Sequence, residues 1–433
     1  MAAAVLDKVG VSGSARSGQG QGCYQRRMVG RHDGAMRPLQ PDRRQGDYYD
    51  EELNGVGPAL VMPGQVTRKR RAGPDPAADQ GLPLASGPSR RLLVLGGTWF
   101  LGRWLAQNAV DRGWQVTCFN RGRTGRDVAG VRSVRGDRTR PDDVARLAQL
   151  GPWDAVVDTS VYEPPDAVLT ARALRPVAAR YVLVSTVSAY RQWPHEPVDE
   201  SSPLWPSRSD ARESDPDLTA MPGPYAYGTL KAGCEQAVRE VFGDDALILR
   251  PGVILGPYEY VGRLPVLLGR AARGGRMLAA GDPGQAIQPV DVRDLTDFAL
   301  DLVEAGTGEV FNVAAPFGHG TYGELLHACV EATGSDAELV WVDSDWLAHQ
   351  DVRQWTEIPL WRTPAGTWAV DASRAHTVGL TCRPLRDTVF DTWRWLQDDQ
   401  PVPHEWQGEH GLDPAKEVRL LGSWDAYQIL RRG

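Results

Sequence analysis

The sequence predicts an α/β protein: a doubly wound parallel sheet with a smaller C-terminal substrate-binding lobe. Three observations predict it. From Arg91 onward, short apolar runs alternate with amphipathic stretches at the spacing of βαβ units. The first such run breaks at two glycines immediately before a helical pattern. The composition of the 433 residues, 42% hydrophobic and 24% charged, is that of a globular chain, and no run approaches the roughly 20 apolar residues of a membrane span.

The first 90 residues stand apart. They hold 14 Gly and 8 Pro but no Trp, Phe or Ile, whereas all 15 Trp lie beyond them. So few large apolar side chains cannot offset the entropy of ordering the backbone, and residues 1–90 read as a disordered N-terminal extension. Its basic run Arg68–Arg71 reads as a solvated tail or an interaction patch, and Met28, Met36 and Met62 are alternative starts.

The elements then follow in order. RLLVL is a buried strand, and WFLGRWLAQNAVDRG is an amphipathic helix stopped by Gly113. QVTCFN and VRSVRGD are strands, followed by a helix near Pro141–Leu150. The strand DAVVDTS, a helix near Asp166–Arg175 and the strand YVLVST come next. A helix over about Pro224–Phe242 leads into ALILRP. Residues 91–256 thus form a nucleotide-binding domain, and 257–397 a substrate lobe with interleaved segments completing the sheet. Residues 398–433 form a C-terminal tail.

Net charge is −7, divided as +4 on residues 1–90 and −11 on the remainder, which argues against nucleic acid as the partner of the folded part. The five cysteines are dispersed and contain no CxxC, so neither a zinc ribbon nor a disulfide framework is expected. Without a secretory leader pattern, the chain reads as cytoplasmic, with no membrane association. His404 and His410, with Glu405 and Glu409, lack the HExxH spacing, and no metal is expected.

Gly96, Gly97, Thr98, Trp99, Phe100, Leu101 and Gly102 join the first strand to the first helix. Such a turn aims free helix N–H groups at a pyrophosphate. Gly96 permits the tight turn and Gly102 close packing of helix on strand, while Trp99 stands near the place of the middle glycine. About 20 residues on, an NAD site carries an acid for the ribose 2′-OH. This chain has Asn120, Arg121, Gly122 and Arg123 instead, which suit a 2′-phosphate through charge-assisted bonds, so NADP is favoured over NAD. Asp137, after the third strand, is a candidate adenine contact.

Tyr227-Gly-Thr-Leu-Lys231 places a phenol and an ammonium on one helix face. A neighbouring cation stabilises phenolate and makes Tyr227 a candidate general acid/base. Only four lysines stand against 44 arginines, and Lys231 is the sole one between Arg91 and Gln397. Upstream, the strand end Val184-Ser-Thr-Val-Ser-Ala-Tyr190 turns hydroxyls toward the crevice where ligands bind in parallel sheets.

With these motifs the region Arg91–Gln397 resembles the extended epimerase/dehydratase branch of the short-chain dehydrogenase/reductase superfamily, with the atypical GGxxxxG glycine pattern and a Rossmann-type sheet. LRPGVILGP, PVDVRDL and VFNVA are similar to its later landmarks. The resemblance implies a Thr186–Tyr227–Lys231 triad. Thr186 sits at the catalytic Ser/Thr position, Tyr227 is the acid/base, and Lys231 holds the nicotinamide ribose. Pro251, Gly252, Val253 and Ile254 would line the nicotinamide. Two departures are Val157-Asp-Thr-Ser160 in place of Asn-Asn-Ala-Gly and the missing acid after the second strand. The Asp-Glu pair that follows the threonine in sugar dehydratases is replaced by Val187-Ser188, which disfavours dehydration.

The expected activity is therefore NAD(P)-dependent hydride transfer on a hydroxyl or carbonyl of a small molecule, with a nucleotide sugar as one candidate. It covers reduction, oxidation or epimerisation, and a homodimer is left open. The alternative is an NADP-binding regulator, or an RNA binder like the chloroplast stem-loop proteins that share the glycine pattern. Seven Trp between Trp341 and Trp395 read mainly as packing. Arg263, Arg270, Arg273 and Arg276 are either diphosphate ligands or an exposed helix face.

Overall fold

The computed structural model describes residues 89–123, 126–398 and 410–432. Residues 1–88, with the basic run and the early methionines, and His404, Glu405 and Glu409 lie outside the described residues.

The chain runs β1 (Arg91–Leu95), α1 (Phe100–Asp111), β2 (Gln115–Asn120), β3 (Arg132–Arg135), α2 (Pro141–Ala148), β4 (Ala155–Asp158), α3 (Pro164–Leu174) and β5 (Tyr181–Val184). After α4 (Pro216–Thr219) come α5 (Gly223–Phe242), β6 (Ala246–Pro251), β7 (Ile254–Leu255), α6 (Arg263–Ala272), β8 (Arg276–Ala280), β9 (Ala286–Ile287) and β10 (Val290–Asp291). The remainder is α7 (Val292–Ala305), β11 (Val310–Val313), β12 (Gly320–Thr321), α8 (Tyr322–Thr333), β13 (Glu338–Val342), α9 (Ser344–His349), α10 (Ser373–Thr377), α11 (Leu385–Asp398) and α12 (Pro414–Arg432).

Seven strands form one sheet in the order β11-β6-β5-β4-β1-β2-β3, all parallel. Both faces are covered, as an all-parallel sheet requires. The pleat of β1 shows how: Leu92 and Val94 join Leu105, Ala109, Phe298 and Leu302 from α1 and α7, while Leu93 and Leu95 join Ala167, Ala171, Ala237 and Val238 from α3 and α5. Proline at the first helical position starts α2 and α3, where no N–H is missed. The chain leaves β1 toward β2 and β3, then returns to β4 on the other side. The carboxyl ends of β1 and β4 therefore border the crevice where open parallel sheets bind ligands.

A second core lies beyond the sheet. β8 and β13 pair in parallel, and α6, α8, α11 and α12 pack around Leu264, Leu267, Leu268, Leu325 and Trp361. The segment expected to be a C-terminal tail thus contains a docked helix. Leu420, Leu421 and Trp424 of α12 are buried in this core. Glu417 receives Arg270 Nε at 2.7 Å and the Leu278 N–H at 3.0 Å, and Arg276 forms a two-pronged pair with Asp425 at 2.8 Å. Of the four arginines read as diphosphate ligands or helix face, these two are committed to fastening α12.

Glu259 fastens the start of α6 in the same way. Its side chain is buried and accepts the N–H groups of Arg263 (2.9 Å) and Leu264 (3.2 Å). Burial pushes its carboxyl up to about 7, against the pull of Arg263 and those N–H groups.

Two stability outcomes follow from these contacts. Glu417→Ala strands a largely buried guanidinium and should lower unfolding stability by about 3 kcal/mol, read as a fall in the urea midpoint. The folded chain holds the Glu259 proton more tightly than the unfolded chain does. Its contribution is complete below the ordinary glutamate range and is lost as pH rises through about 7. The wild type should therefore lose stability relative to Glu259→Gln as pH rises from roughly 5 to 8; a pH-independent difference between the two would refute this.

Candidate active site

At the end of β1, Gly96 adopts φ +97°, and a Cβ there would stand 2.8 Å from the side chains of Thr159 and Ser160. A Cβ on Gly102 would meet the Gly96 carbonyl oxygen at 2.3 Å, so α1 can approach the strand end only with hydrogen at that position. Trp99 caps α1 in extended conformation without a side-chain cap, and no acid occupies the first turn. Apart from Thr98, whose N–H donates to Gly96 O at 3.0 Å, the Gly97–Leu101 stretch thus offers its backbone N–H groups to an anion. Phe100, with φ +29°, carries backbone strain at the same turn.

The ends of β2 and β3 form the neighbouring wall. Asn120 Oδ1 accepts the Gly122 N–H at 2.9 Å and also the Arg135 guanidinium, while its amide nitrogen is buried without a partner. Asp137 Oδ1 accepts both the N–H and the hydroxyl of Thr139. Burial raises the Asp137 carboxyl, but these bonds and the Arg121 and Arg123 charges outweigh it and hold it below the usual range. Arg138, which sequence reasoning missed, is buried with Nη2 at 2.9 Å from Asp158 Oδ1, a pair not aligned as a hydrogen bond. Partial burial, then the like charges of Arg123 and Arg138, pull Arg121 below its ordinary value. Arg121 and Arg123 give this wall positive charge and the Asn120 amide a spare donor, a setting that fits an added phosphate.

At the middle of the sheet, Thr186 lies two residues beyond β5, and its Oγ1 accepts the Ser188 N–H at 3.1 Å. A Cβ on Gly228 would lie 2.0 Å from the Ser188 carbonyl oxygen, so α5 presses its backbone onto the turn after Thr186. The half-buried Tyr227 lies on this stretch of helix, its ring 5.9 Å from that of Tyr162. One turn later Lys231 is 3% exposed. Its ammonium donates to Val161 O and Val184 O, both at 2.9 Å, which leaves a third N–H for the site. Burial pulls the ammonium below its ordinary value. Thr186, Tyr227 and Lys231 are thus brought into one neighbourhood, by way of Ser188 and Val184.

Beside them, β6 ends at Pro251. Gly252 N–H bonds Val313 O at 3.0 Å, and Val253 O accepts the Val290 N–H at 2.9 Å. Together with Ile254 on β7, this segment borders the same edge. A Cβ on Gly252 would touch only Ala314, at 3.8 Å, so the protein alone does not demand glycine there.

Beneath this edge is a network the motifs did not reveal. Glu235 and Arg250 form a forked pair, with Nη2–Oε2 at 2.6 Å and both side chains almost wholly buried. Ser185 donates to Glu235 at 2.5 Å, Arg250 Nη1 to the Tyr190 hydroxyl at 2.9 Å, and Tyr190 to Asn312 Oδ1 at 2.7 Å. Burial, opposed by Arg250, pushes the Tyr190 phenol up to about 12 and keeps it a neutral donor. One signal was available: Tyr227, Lys231 and Glu235 recur every four residues on one helix face.

On the lobe side, the Arg362 guanidinium lies 5.0 Å from the Trp193 ring and 4.9 Å from the Trp355 ring. Arg263 lies 5.0 Å from the same Trp355 ring, and its buried Nε has no hydrogen-bond partner. Trp355, Trp361 and Trp368 are buried, in keeping with packing. Among the described residues, no three His, Cys, Asp or Glu side chains group as a metal site, and no helix is long and apolar enough to cross a membrane.

Comparison with known proteins agrees with this architecture. The 2′-dehydrokanamycin reductase of Streptomyces kanamyceticus is 32% identical over 168 residues, which are 38% of this chain and 43% of the reductase. The match therefore spans less than half of that relative's length. The dTDP-6-deoxy-L-talose 4-dehydrogenase (NAD(P)(+)) of Kitasatospora kifunensis is 30% identical over 352 residues, covering 72% of this chain and 97% of that protein. Among solved structures, the Bordetella bronchiseptica enzyme WbmH in complex with NAD+ aligns with a TM-score of 0.55 at 20% identity, over 72% of this chain and all of that one. That is a likeness of fold. Residues 92–314 match the family profile described as the NAD dependent epimerase/dehydratase family, and the chain belongs to that family.

Proposed function

We propose that this protein is an NADP(H)-dependent oxidoreductase or epimerase that moves a hydride to or from a carbinol or carbonyl carbon, with Thr186, Tyr227 and Lys231 as its catalytic residues. The observation that carries the reading is the buried Lys231 ammonium, one turn from Tyr227 and tied to Val184 at the end of β5, two residues before Thr186. A lone buried ammonium at the carboxyl edge of a parallel sheet is costly to fold and is retained where a ligand or a reacting group needs its charge.

The turn Gly96–Gly102 would hold the pyrophosphate on the uncapped N–H groups of α1. Asn120 and Arg121 would face the 2′-phosphate, with Arg123 adding charge, and Asp137 would take the adenine. Pro251–Ile254 would border the nicotinamide, which supplies the hydride acceptor or donor when bound. Tyr227 moves the proton on the substrate oxygen, its phenolate favoured by the Lys231 charge, and Thr186 orients that oxygen through its hydroxyl. Lys231 also has an N–H left for the nicotinamide ribose.

On the substrate side, Arg263 and Arg362, held against the buried Trp193 and Trp355 rings, suit an anionic group, which favours a nucleotide sugar as the substrate class. The dehydrogenase relative, named for a dTDP-sugar, supports the same class.

Titration of the purified chain with both cofactors should give tighter binding of NADP(H) than of NAD(H). Arg121→Ala should weaken only NADP(H), and equal affinities would sink the assignment. With nucleotide 4-keto sugars assayed by NADPH oxidation, Tyr227→Phe should bind cofactor almost as the wild type does and lose at least about 10²-fold in turnover. Lys231→Ala should impair both, and Lys231→Arg should not restore them fully, because a planar guanidinium cannot replace a compact ammonium bonded to two carbonyls. Full turnover in Tyr227→Phe would remove the proton relay from this residue.

A further inference from the structure

The middle position of the glycine turn, where dinucleotide fingerprints place glycine so that the backbone can approach the pyrophosphate, is Trp99. Its backbone is extended (φ −116°, ψ 144°), a conformation open to any residue, so the main chain itself does not call for glycine there. The indole packs edge-on against Tyr260, with ring centroids 5.4 Å apart, and the next residue, Phe100, meets the same ring at 6.4 Å. Tyr260 therefore packs against the side chains that open α1, whose first-turn N–H groups are assigned to the pyrophosphate.

The segment carrying Tyr260 is anchored on both sides. Toward the cofactor domain, the Trp104 indole N–H donates to Pro257 O at 3.0 Å, and Arg103 lies 4.5 Å over the Tyr258 ring. Toward the lobe, Tyr258 packs on Trp395 at 5.2 Å, and the Glu259 carboxylate holds the start of α6. Tyr258 itself adopts φ +71°, an uncommon conformation for an aromatic residue, which the contacts on either side maintain.

We infer that Trp99 and Tyr260 together form an aromatic cover over the pyrophosphate of the bound dinucleotide, which must part for the cofactor to enter or leave. The inference rests on the cofactor reading given above. The cover excludes water from the diphosphate and strengthens its bonds to the α1 N–H groups. Its effect falls mainly on the rate of cofactor release.

The test uses the full chain loaded with NADPH and chased with excess NADP+, with release followed by NADPH fluorescence. Trp99→Gly and Tyr260→Ala should each speed release by roughly the tenfold that one aromatic pair is worth. The double variant should be no faster than about the faster single, since both remove one contact. Trp99→Phe and Tyr260→Phe keep a ring on each side and should stay within about threefold of the wild type. Release unchanged in both Trp99→Gly and Tyr260→Ala, or additive effects in the double variant, overturns the cover while leaving the cofactor site standing. Failure of the wild type to bind either dinucleotide overturns both.

Discussion

The carboxylate of Glu235 meets the guanidinium of Arg250 with both side chains shut away from water, and the placement of the candidate catalytic groups depends on that meeting. Glu235 belongs to the helix that carries Tyr227 and Lys231, Arg250 to β6, and their satellites Ser185, Tyr190 and Asn312 to the end of β5, the turn beyond it and β11. One pair therefore fixes a helix against three strand ends. Compared with well-packed apolar residues, such a pair adds little net stability, because desolvation consumes most of the Coulombic gain. Losing one partner is costly, since it strands a buried charge. The network is thus a device of registration: α5 cannot slide or rotate without breaking several charge-assisted bonds at once.

Charge is distributed for the same end. The part of the chain beyond residue 90 carries a net −11, yet the wall formed by β2 and β3 gathers Arg121, Arg123 and Arg138 around few carboxylates. Arginines elsewhere are matched closely: Arg270 with Glu417, Arg276 with Asp425, Arg293 with Asp291 and Asp391, Arg383 with Asp294. Guanidinium groups that fasten elements have carboxylates in a fork geometry. At the β2–β3 wall Arg121 feels the like charges of Arg123 and Arg138, and the Asn120 amide nitrogen is a buried donor without a partner, an arrangement that an anion relieves.

The aromatic residues divide along similar lines. Trp355, Trp361, Trp368 and Trp424 close the core of the lobe, whereas Trp99, Trp104, Tyr258 and Tyr260 stitch the glycine turn to the chain that enters the lobe. The glycine turn and the lobe are thereby joined.

By itself the sequence determined the parallel sheet, the strands Gln115–Asn120 and Ala246–Pro251 to the residue, the helix near Pro224–Phe242 to within one residue, and the place of the glycine turn between β1 and α1. All of these rest on local signals: apolar runs buried on both faces, helix caps and stops, and residues four apart on one helix. Only the tertiary structure decided what those residues face. That Lys231 bonds Val161 and Val184, that Arg138 lies buried beside Asp158, and that Arg270 and Arg276 hold a C-terminal helix are pairings across 20 to 149 residues of chain. Tyr260 against Trp99 is another. No periodicity encodes such partners. They are selected by the closing of the fold, which forces each buried charge and polar group to find a counterpart wherever the chain brings one.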